Sequence, residues 1–251
     1  LNGLVAPPAL RYALYYAPRG GEALAMTASH WLGRNAESGQ MLALRAVPGI
    51  ASERLAEITA EPRLYGFHGT LKAPIALADG VSERDFLDAV GRFAVAERAF
   101  WVPALALGEL SDFLALVPAV RCSELQDLAD RCVVEFDEFR RPADEAELAR
   151  RRAAGLTPRQ EELLVRWGYP YVLEEWRFHL TLTGRLTDPG ERGTIAALLR
   201  QRFAGFLDRP LSVSDLCVFR QTAPKRPFTV LARFRLGGGR RVRADEVWRA
   251  A

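Results

Sequence analysis

One short pattern occurs twice and sets the terms for the rest of the chain. Gly66-Phe67-His68-Gly69-Thr70-Leu71-Lys72 and Arg177-Phe178-His179-Leu180-Thr181-Leu182-Thr183 both contain Phe-His-x-Thr-Leu, and together they hold two of only three histidines. Two His-x-Thr hits among three histidines arise by chance roughly once in two hundred sequences of this composition, before the shared Phe and Leu are counted. Both segments are short and rich in β-branched or aromatic residues, which predicts strands, and successive side chains of a strand point to opposite faces. His and Thr at i and i+2 therefore emerge side by side. Phe67, Gly69 and Leu71 are expected to face the core, with Lys72 joining His68 and Thr70, while Arg177 and Thr183 join His179 and Thr181. If the two strands face each other across a cleft, two imidazoles, at least two hydroxyls and two cations converge, an inventory that suits a phosphate diester. A lone His-x-Thr on a strand is usually structural or simply exposed; the repetition is what favours catalysis.

Composition narrows the partners. The 251 residues are 49% hydrophobic, ample for a core in one large domain or two small ones. The net charge of +3 is dispersed apart from Arg150-Arg151-Arg152 and Arg240-Arg241-Val242-Arg243. A nucleic-acid groove ordinarily needs a more concentrated positive stripe, so a small anionic substrate fits at least as well. Cys122, Cys132 and Cys217 are odd in number and lack Cys-x-x-Cys spacing, which argues against a disulfide framework and a thiolate metal site and for buried free thiols. No apolar run reaches membrane-span length, and Leu1 to Leu10 lacks a basic start followed by an apolar core, so neither a membrane partner nor a signal peptide is expected and the cytoplasm is the default.

Taken in order, Arg11 to Tyr16 reads as a first strand closed by Pro18 and Gly20-Gly21. A helix over Glu22 to Arg34 is expected to have Ala23, Met26, His30 and Leu32 among its buried or half-buried positions. His30, without a Thr partner, is read as structural. A short helix from Ser52 should end before Pro62, and Pro74 belongs at a strand end, an edge or a bulge. Phe86, Leu87, Val90, Phe93 and Ala94 recur at helical spacing after Ser82. Trp101 to Leu110 and Phe113 to Val117 read as strands joined at Ser111-Asp112, followed by a helix from Ser123 to about Phe139. The charged stretch of roughly 140–168 reads as two short helices, opened by Pro142-Ala143-Asp144 and by Thr157-Pro158, that connect two halves and serve as a candidate lid. Its arginine run is better read as a solvated face than as a phosphate patch. Trp176 to Arg185 is the second motif strand. A helix started by Thr187-Asp188-Pro189 follows, then strands over Leu211 to Gln221 and Phe228 to Leu236, and a peripheral tail after Gly237-Gly238-Gly239. A motif strand, a helix and two more strands thus occur once after His68 and again after His179, which suggests units related by a pseudo-twofold axis.

The chain resembles the two-histidine (2H) phosphoesterase superfamily, the LigT-like or cyclic phosphodiesterase fold, whose mark is a pair of His-x-Thr/Ser-x motifs. The stretches 11–16, 65–74 and 176–184 look more narrowly like its branch associated with phosphonate metabolism, and the resemblance covers essentially the whole chain. It implies an α+β fold of two pseudo-symmetric lobes, each an antiparallel sheet with helices on its outer face, enclosing a central cleft, in a single bilobal domain over residues 1–251. The resemblance also implies metal-independent, cofactor-free opening of a small cyclic phosphodiester, a ribose cyclic phosphate in that branch. His68 and His179 would act as general acid and base, in an order left open, with Thr70 and Thr181 on the non-bridging oxygens and Lys72 and Arg177 offsetting charge. Tyr65 and Thr183 complete the candidate substrate-binding set, although core packing is the better reading of Tyr12, Tyr15 and Tyr65. Gly69 stands where Ala is commoner in that branch, a difference expected to be tolerated. The rival substrate is RNA bearing a 2′,3′-cyclic phosphate, with ligation as reverse chemistry, and the rival class is a non-catalytic module that binds a phosphorylated ligand.

Overall fold

The computed structural model describes residues 10–153, 155–237 and the strand backbone of 240–242. The elements run β1 (Arg11–Tyr16), α1 (Ala23–Leu32), α2 (Ser52–Ile58), α3 (Ala60–Tyr65), β2 (Gly69–Ile75), α4 (Glu83–Ala96), β3 (Phe100–Val102), β4 (Leu105–Leu110) and β5 (Phe113–Pro118). They continue with α5 (Ser123–Glu135), α6 (Glu145–Arg152), α7 (Pro158–Trp167), a 3₁₀ turn at Leu173–Glu175, β6 (Leu180–Thr181), α8 (Pro189–Arg202), β7 (Leu211–Val213), β8 (Asp215–Gln221), β9 (Thr229–Arg235) and β10 (Arg240–Val242). The expected tail beyond Gly237 lies outside the described residues except for β10, which lengthens one sheet edge. Among the described residues no helix is long and apolar enough to cross a membrane.

The fold is α+β, with one antiparallel eight-stranded sheet in the order β10-β9-β8-β1-β2-β6-β5-β4 and a small β3-β7 pair. The two motif strands, β2 and β6, are neighbours joined at one register pair, Gly69 opposite Leu180. The expected two sheets are therefore continuous. Chain order and spatial order cross here. The hairpin β4-β5, which follows the first motif, pairs with β6 of the second, whereas β8 and β9, which follow the second motif, reach β2 through β1. The helices cross likewise, α4 packing on β8 and β9 and α8 on β4 and β5.

One face of the sheet carries the main core. Leu14, Leu71, Phe178 and Leu180 meet Phe86 and Phe93 of α4, Leu128 and Cys132 of α5 and Leu199 of α8. The apolar stripes of α4 and α5 are the ones the periodicity predicts, and α4 is opened by a reciprocal cap between Ser82 and Asp85. The three cysteines are buried and free. On the other face, Ala13 and Tyr15 of β1 pack with Phe219, Phe228 and Val230 in a smaller cluster.

Several local readings need correction. In α1 the buried stripe is Leu24, Ala25, Ala28, Trp31 and Leu32; the buried Leu32 and half-buried His30 lie as expected, but Ala23 and Met26 fall beside the stripe and are exposed. The helix from Ser52 does end before Pro62, at Ile58, but Pro62 then sits in the first turn of an unexpected further helix, α3, where no intrahelical N–H bond is required. The expected strand 101–110 breaks at Pro103 into β3 and β4. The second motif strand shrinks from ten expected residues to two, because past Thr181 the ladder is replaced by bonds in which Leu182 N and Thr183 N both donate to the Leu114 carbonyl.

Candidate functional site

With Gly69 opposite Leu180, the antiparallel register sets His68 opposite Thr181 and Thr70 opposite His179. Leu180 is buried in the main core and Gly69 lies against Phe178 there, so alternation turns the other four side chains to the opposite face. A local twofold through the Gly69-Leu180 pair carries His68 onto His179 and Thr70 onto Thr181. The histidines thus occupy diagonal corners of a square on one sheet face. This corrects the expectation of two strands facing each other across a cleft.

The two rings are held in matching ways. His68 Nδ1 lies 2.8 Å from the Gly66 carbonyl and His179 Nδ1 lies 2.7 Å from the Arg177 carbonyl, in each case two residues upstream. A carbonyl oxygen only accepts, so Nδ1 carries the hydrogen in both rings and Nε2 is left for chemistry. Thr70 Oγ1 is 3.3 Å from His68 Nε2. Gly66 delivers its carbonyl from a backbone φ of +78°, and a Cβ there would stand 2.4 Å from Ala36 Cβ, so both conformation and space call for glycine.

Packing fixes the rings further. His68 stacks on Tyr15 at 3.9 Å between centroids and lies 5.9 Å from Tyr65, which stacks on Phe228. His179 lies 5.6 Å from Phe113. Two indoles clamp the motif strands, Trp176 Nε1 donating to the Thr70 carbonyl at 2.8 Å and Trp31 Nε1 to the Leu182 carbonyl at 2.7 Å. Desolvation by this packing lowers the His68 pKa from 6.5 to about 4, opposed by the Gly66 bond and reinforced by the charge of His179. Burial lowers His179 from its ordinary value too, again against its backbone bond.

The remaining candidates are placed differently. Thr183 is buried, and its Oγ1 accepts from Leu114 N at 3.0 Å, where it replaces a missing ladder acceptor. Arg177 is exposed and turns back to donate to the carbonyls of Glu174 and Trp176 at 2.9 and 2.8 Å. Neither joins the four-residue square, since β6 is too short for its alternation to extend to 177 or 183. Lys72 is buried, donating to the Val133 carbonyl at 2.8 Å with Asp137 at 3.8 Å. The β1-β2 register slips between Leu14-Lys72 and Tyr15-Thr70, which breaks strict alternation there. Desolvation lowers its pKa to about 8, with Asp137 opposing. Lys72 and Tyr65 nevertheless line a cavity of about 580 Å³ beside the histidines, together with Trp167 and Tyr169. Neither histidine lines it. Tyr12, by contrast, belongs to the core, its hydroxyl donating to Glu83 at 2.7 Å.

A family model described as "Protein of unknown function (DUF1045)" matches residues 70–229, from Thr70 through the second motif to β9. The chain belongs to the DUF1045 family. This DUF1045 chain is also 41% identical over 231 residues to a protein of Janthinobacterium sp. (strain Marseille) named ribose 1,5-bisphosphate phosphokinase PhnN, covering 91% of the chain and 51% of that protein. A protein of the same name from Laribacter hongkongensis (strain HLHK9) is 37% identical over 210 residues, covering 84% and 48%. The chain spans about half the length of these curated relatives. Among solved structures, E. coli LigT complexed with NADP+ aligns with a TM-score of 0.41 at 14% identity, over 92% of this chain and 99% of that one. A structure described as a phosphoesterase aligns at 0.40 and 16% identity, over 92% and 99%.

Proposed function

We propose that this chain is a phosphodiesterase that opens a small cyclic phosphodiester of a sugar, with the two histidines as general base and general acid. The observation that supports it is the matched pair of imidazoles, each with Nδ1 bound to a carbonyl and Nε2 away from the backbone, on either side of a local twofold on one sheet face. An anion resting over that axis meets one Nε2 on each side, which is what in-line displacement at phosphorus asks of a base and an acid. Burial lowers both rings, and with His68 brought down to about 4 its imidazole is neutral at ordinary pH, as a base must be. His68 then takes the proton of the attacking water and His179 gives one to the departing sugar oxygen. Thr70 and Thr181 donate to the non-bridging oxygens, and Lys72 offsets charge from the adjoining wall.

The name of the curated relatives concerns a phosphorylated ribose, the product class that opening a ribosyl cyclic phosphate yields. That supports a sugar substrate over an RNA end. The 251 residues contain no Gly-x-x-x-x-Gly-Lys-Ser/Thr phosphate loop, so the kinase chemistry in that name is assigned here to the half of the relatives that this chain does not span.

The test is a hydrolysis panel run in EDTA, comparing a ribosyl 1,2-cyclic phosphate, nucleoside 2′,3′-cyclic phosphates and short RNA with a cyclic end. Turnover is expected on the sugar cyclic phosphate, and His68→Ala and His179→Ala should each remove about 10²-fold or more of it with the fold retained by circular dichroism. Unchanged rates in either variant overturn the assignment; preference for RNA overturns the substrate class.

A further inference from the structure

The cavity beside the histidines has a charge pattern that opening a cyclic diester does not require. Arg11, Lys72, Arg140, Arg141, Arg150 and Lys225 line it, against Asp144 and Glu147. Both acids are engaged on their own helix. Asp144 Oδ1 accepts from Glu147 N at 2.8 Å as the cap of α6, and Glu147 is paired with Arg150 and Arg151 at 3.7 and 3.3 Å. Arg140 is held by Asp137 at 2.7 Å. Among the described residues, Arg11, Arg141 and Lys225 are in no ion pair. Arg11 is oriented by Gln221, whose Oε1 accepts from its Nε at 2.8 Å. The chain has only two lysines among 34 basic residues, and both line this cavity.

Geometry joins the cavity to the catalytic square. Tyr65 belongs to its wall and packs against His68, and Lys72 follows Thr70 by two residues on β2. Arg11 shares its side of β1 with Tyr15, the ring on which His68 stacks. A volume of about 580 Å³ suits a small ligand better than a strand of nucleic acid, which needs an open track. A phosphate monoester is close to a dianion at neutral pH and is bound best by several converging cations, whereas a cyclic diester carries a single charge.

We propose that this cavity is a second anion subsite, which receives a terminal phosphate monoester on the same sugar whose cyclic diester lies over the histidine pair. This rests on the reading of that pair as the catalytic centre, and it sharpens the substrate class to a bisphosphorylated sugar with one phosphate cyclic and one free. Arg141 and Lys225 contact the free phosphate from the rim, Arg11 and Lys72 from the floor, and Tyr65 separates the two phosphoryl positions. The connector of α6 and α7 forms one wall through Arg150 and Trp167.

The two lysines make the subsite observable without turnover. Protein labelled with ¹³C-lysine yields two side-chain resonances to follow by NMR while ribose 5-phosphate, ribose or inorganic phosphate is added. Both are expected to move and saturate with ribose 5-phosphate and to stay in place with ribose. Inorganic phosphate acting as well as ribose 5-phosphate means an adventitious ion only, and unmoved lysines, or displacement of ribose 5-phosphate by short RNA, likewise overturn the proposal. In parallel, the ratio of kcat/KM for a ribosyl cyclic phosphate bearing a second phosphate on its primary hydroxyl over one lacking it should fall about tenfold or more in Arg141→Ala and in Lys225→Ala. An unchanged ratio in both variants, or a wild-type enzyme indifferent to that phosphate, refutes the subsite. Saturable lysine shifts in a protein that hydrolyses neither compound refute the catalytic reading and leave the subsite standing.

Discussion

Acid should destabilise the folded protein through one named side chain. The His68 ring is packed on Tyr15 with its pKa lowered from 6.5 to about 4, so between those values the unfolded chain takes up a proton that the folded chain refuses. A depressed folded-state pKa means that the stabilisation is complete above about 6.5, declines as the pH falls and is gone below about 4. The displacement is about two and a half pH units, and at ~1.4 kcal/mol per unit the loss is roughly 3–4 kcal/mol across that window. His68→Asn keeps a donor for the Gly66 carbonyl and removes the titration. Urea unfolding of wild type and variant at a series of pH values from neutrality to about 4 isolates the histidine, since carboxylate titrations are common to both proteins. The expected result is a wild-type curve that falls more steeply than the variant's by about that amount. Parallel curves would refute the claim that burial controls this ring. His179→Asn should raise the His68 pKa, because the charge of His179 is one of the causes that lower it.

The same shifts fix the acid side of the rate profile: kcat/KM should rise with pH through about 4 as His68 becomes neutral and fall at a pH below 6.5 as His179 loses its proton, and an optimum above pH 8 would contradict the assignment. Gly69→Ala should cost about 1–3 kcal/mol in urea unfolding, since a Cβ at Gly69 would stand 2.3 Å from the Phe178 ring; full stability would show that the ring moves aside freely. Thr183→Val leaves the buried Leu114 N–H without its 3.0 Å acceptor and should lose about 1–3 kcal/mol of stability, whereas a loss of substrate affinity at unchanged stability would restore Thr183 to the site.

The motif pair was readable because strand alternation is local: His68 with Thr70 and His179 with Thr181 needed no knowledge of the fold. Helices α4 and α5 were readable for a similar reason, their apolar spacing and the cap at Ser82 being confined to a few turns of chain. What escaped depends on contacts between distant residues. Whether Gly69 has room for a methyl group is decided by Phe178, one strand over, and Thr183 is claimed by a backbone donor at Leu114. Alternation extrapolated Lys72 into the square, but the register slip in β2 sent it to the adjoining cavity. Arg11 reads only as strand composition and Tyr15 as core packing. Their period-two spacing from Ala13 held the signal that they share a face, but nothing in the sequence said that the face was the one with His68.

The crosswise exchange of hairpins has a consequence for how the molecule can be divided. The hairpin encoded after the first motif borders β6, and strands encoded after the second motif border β1, so a fragment ending before β6 lacks β8 and β9 beside β1 as well as the second imidazole. The halves interlock like clasped hands. Expressed separately, they should refold only by recombining with each other, and a split placed in the α6-α7 connector should regain structure on mixing.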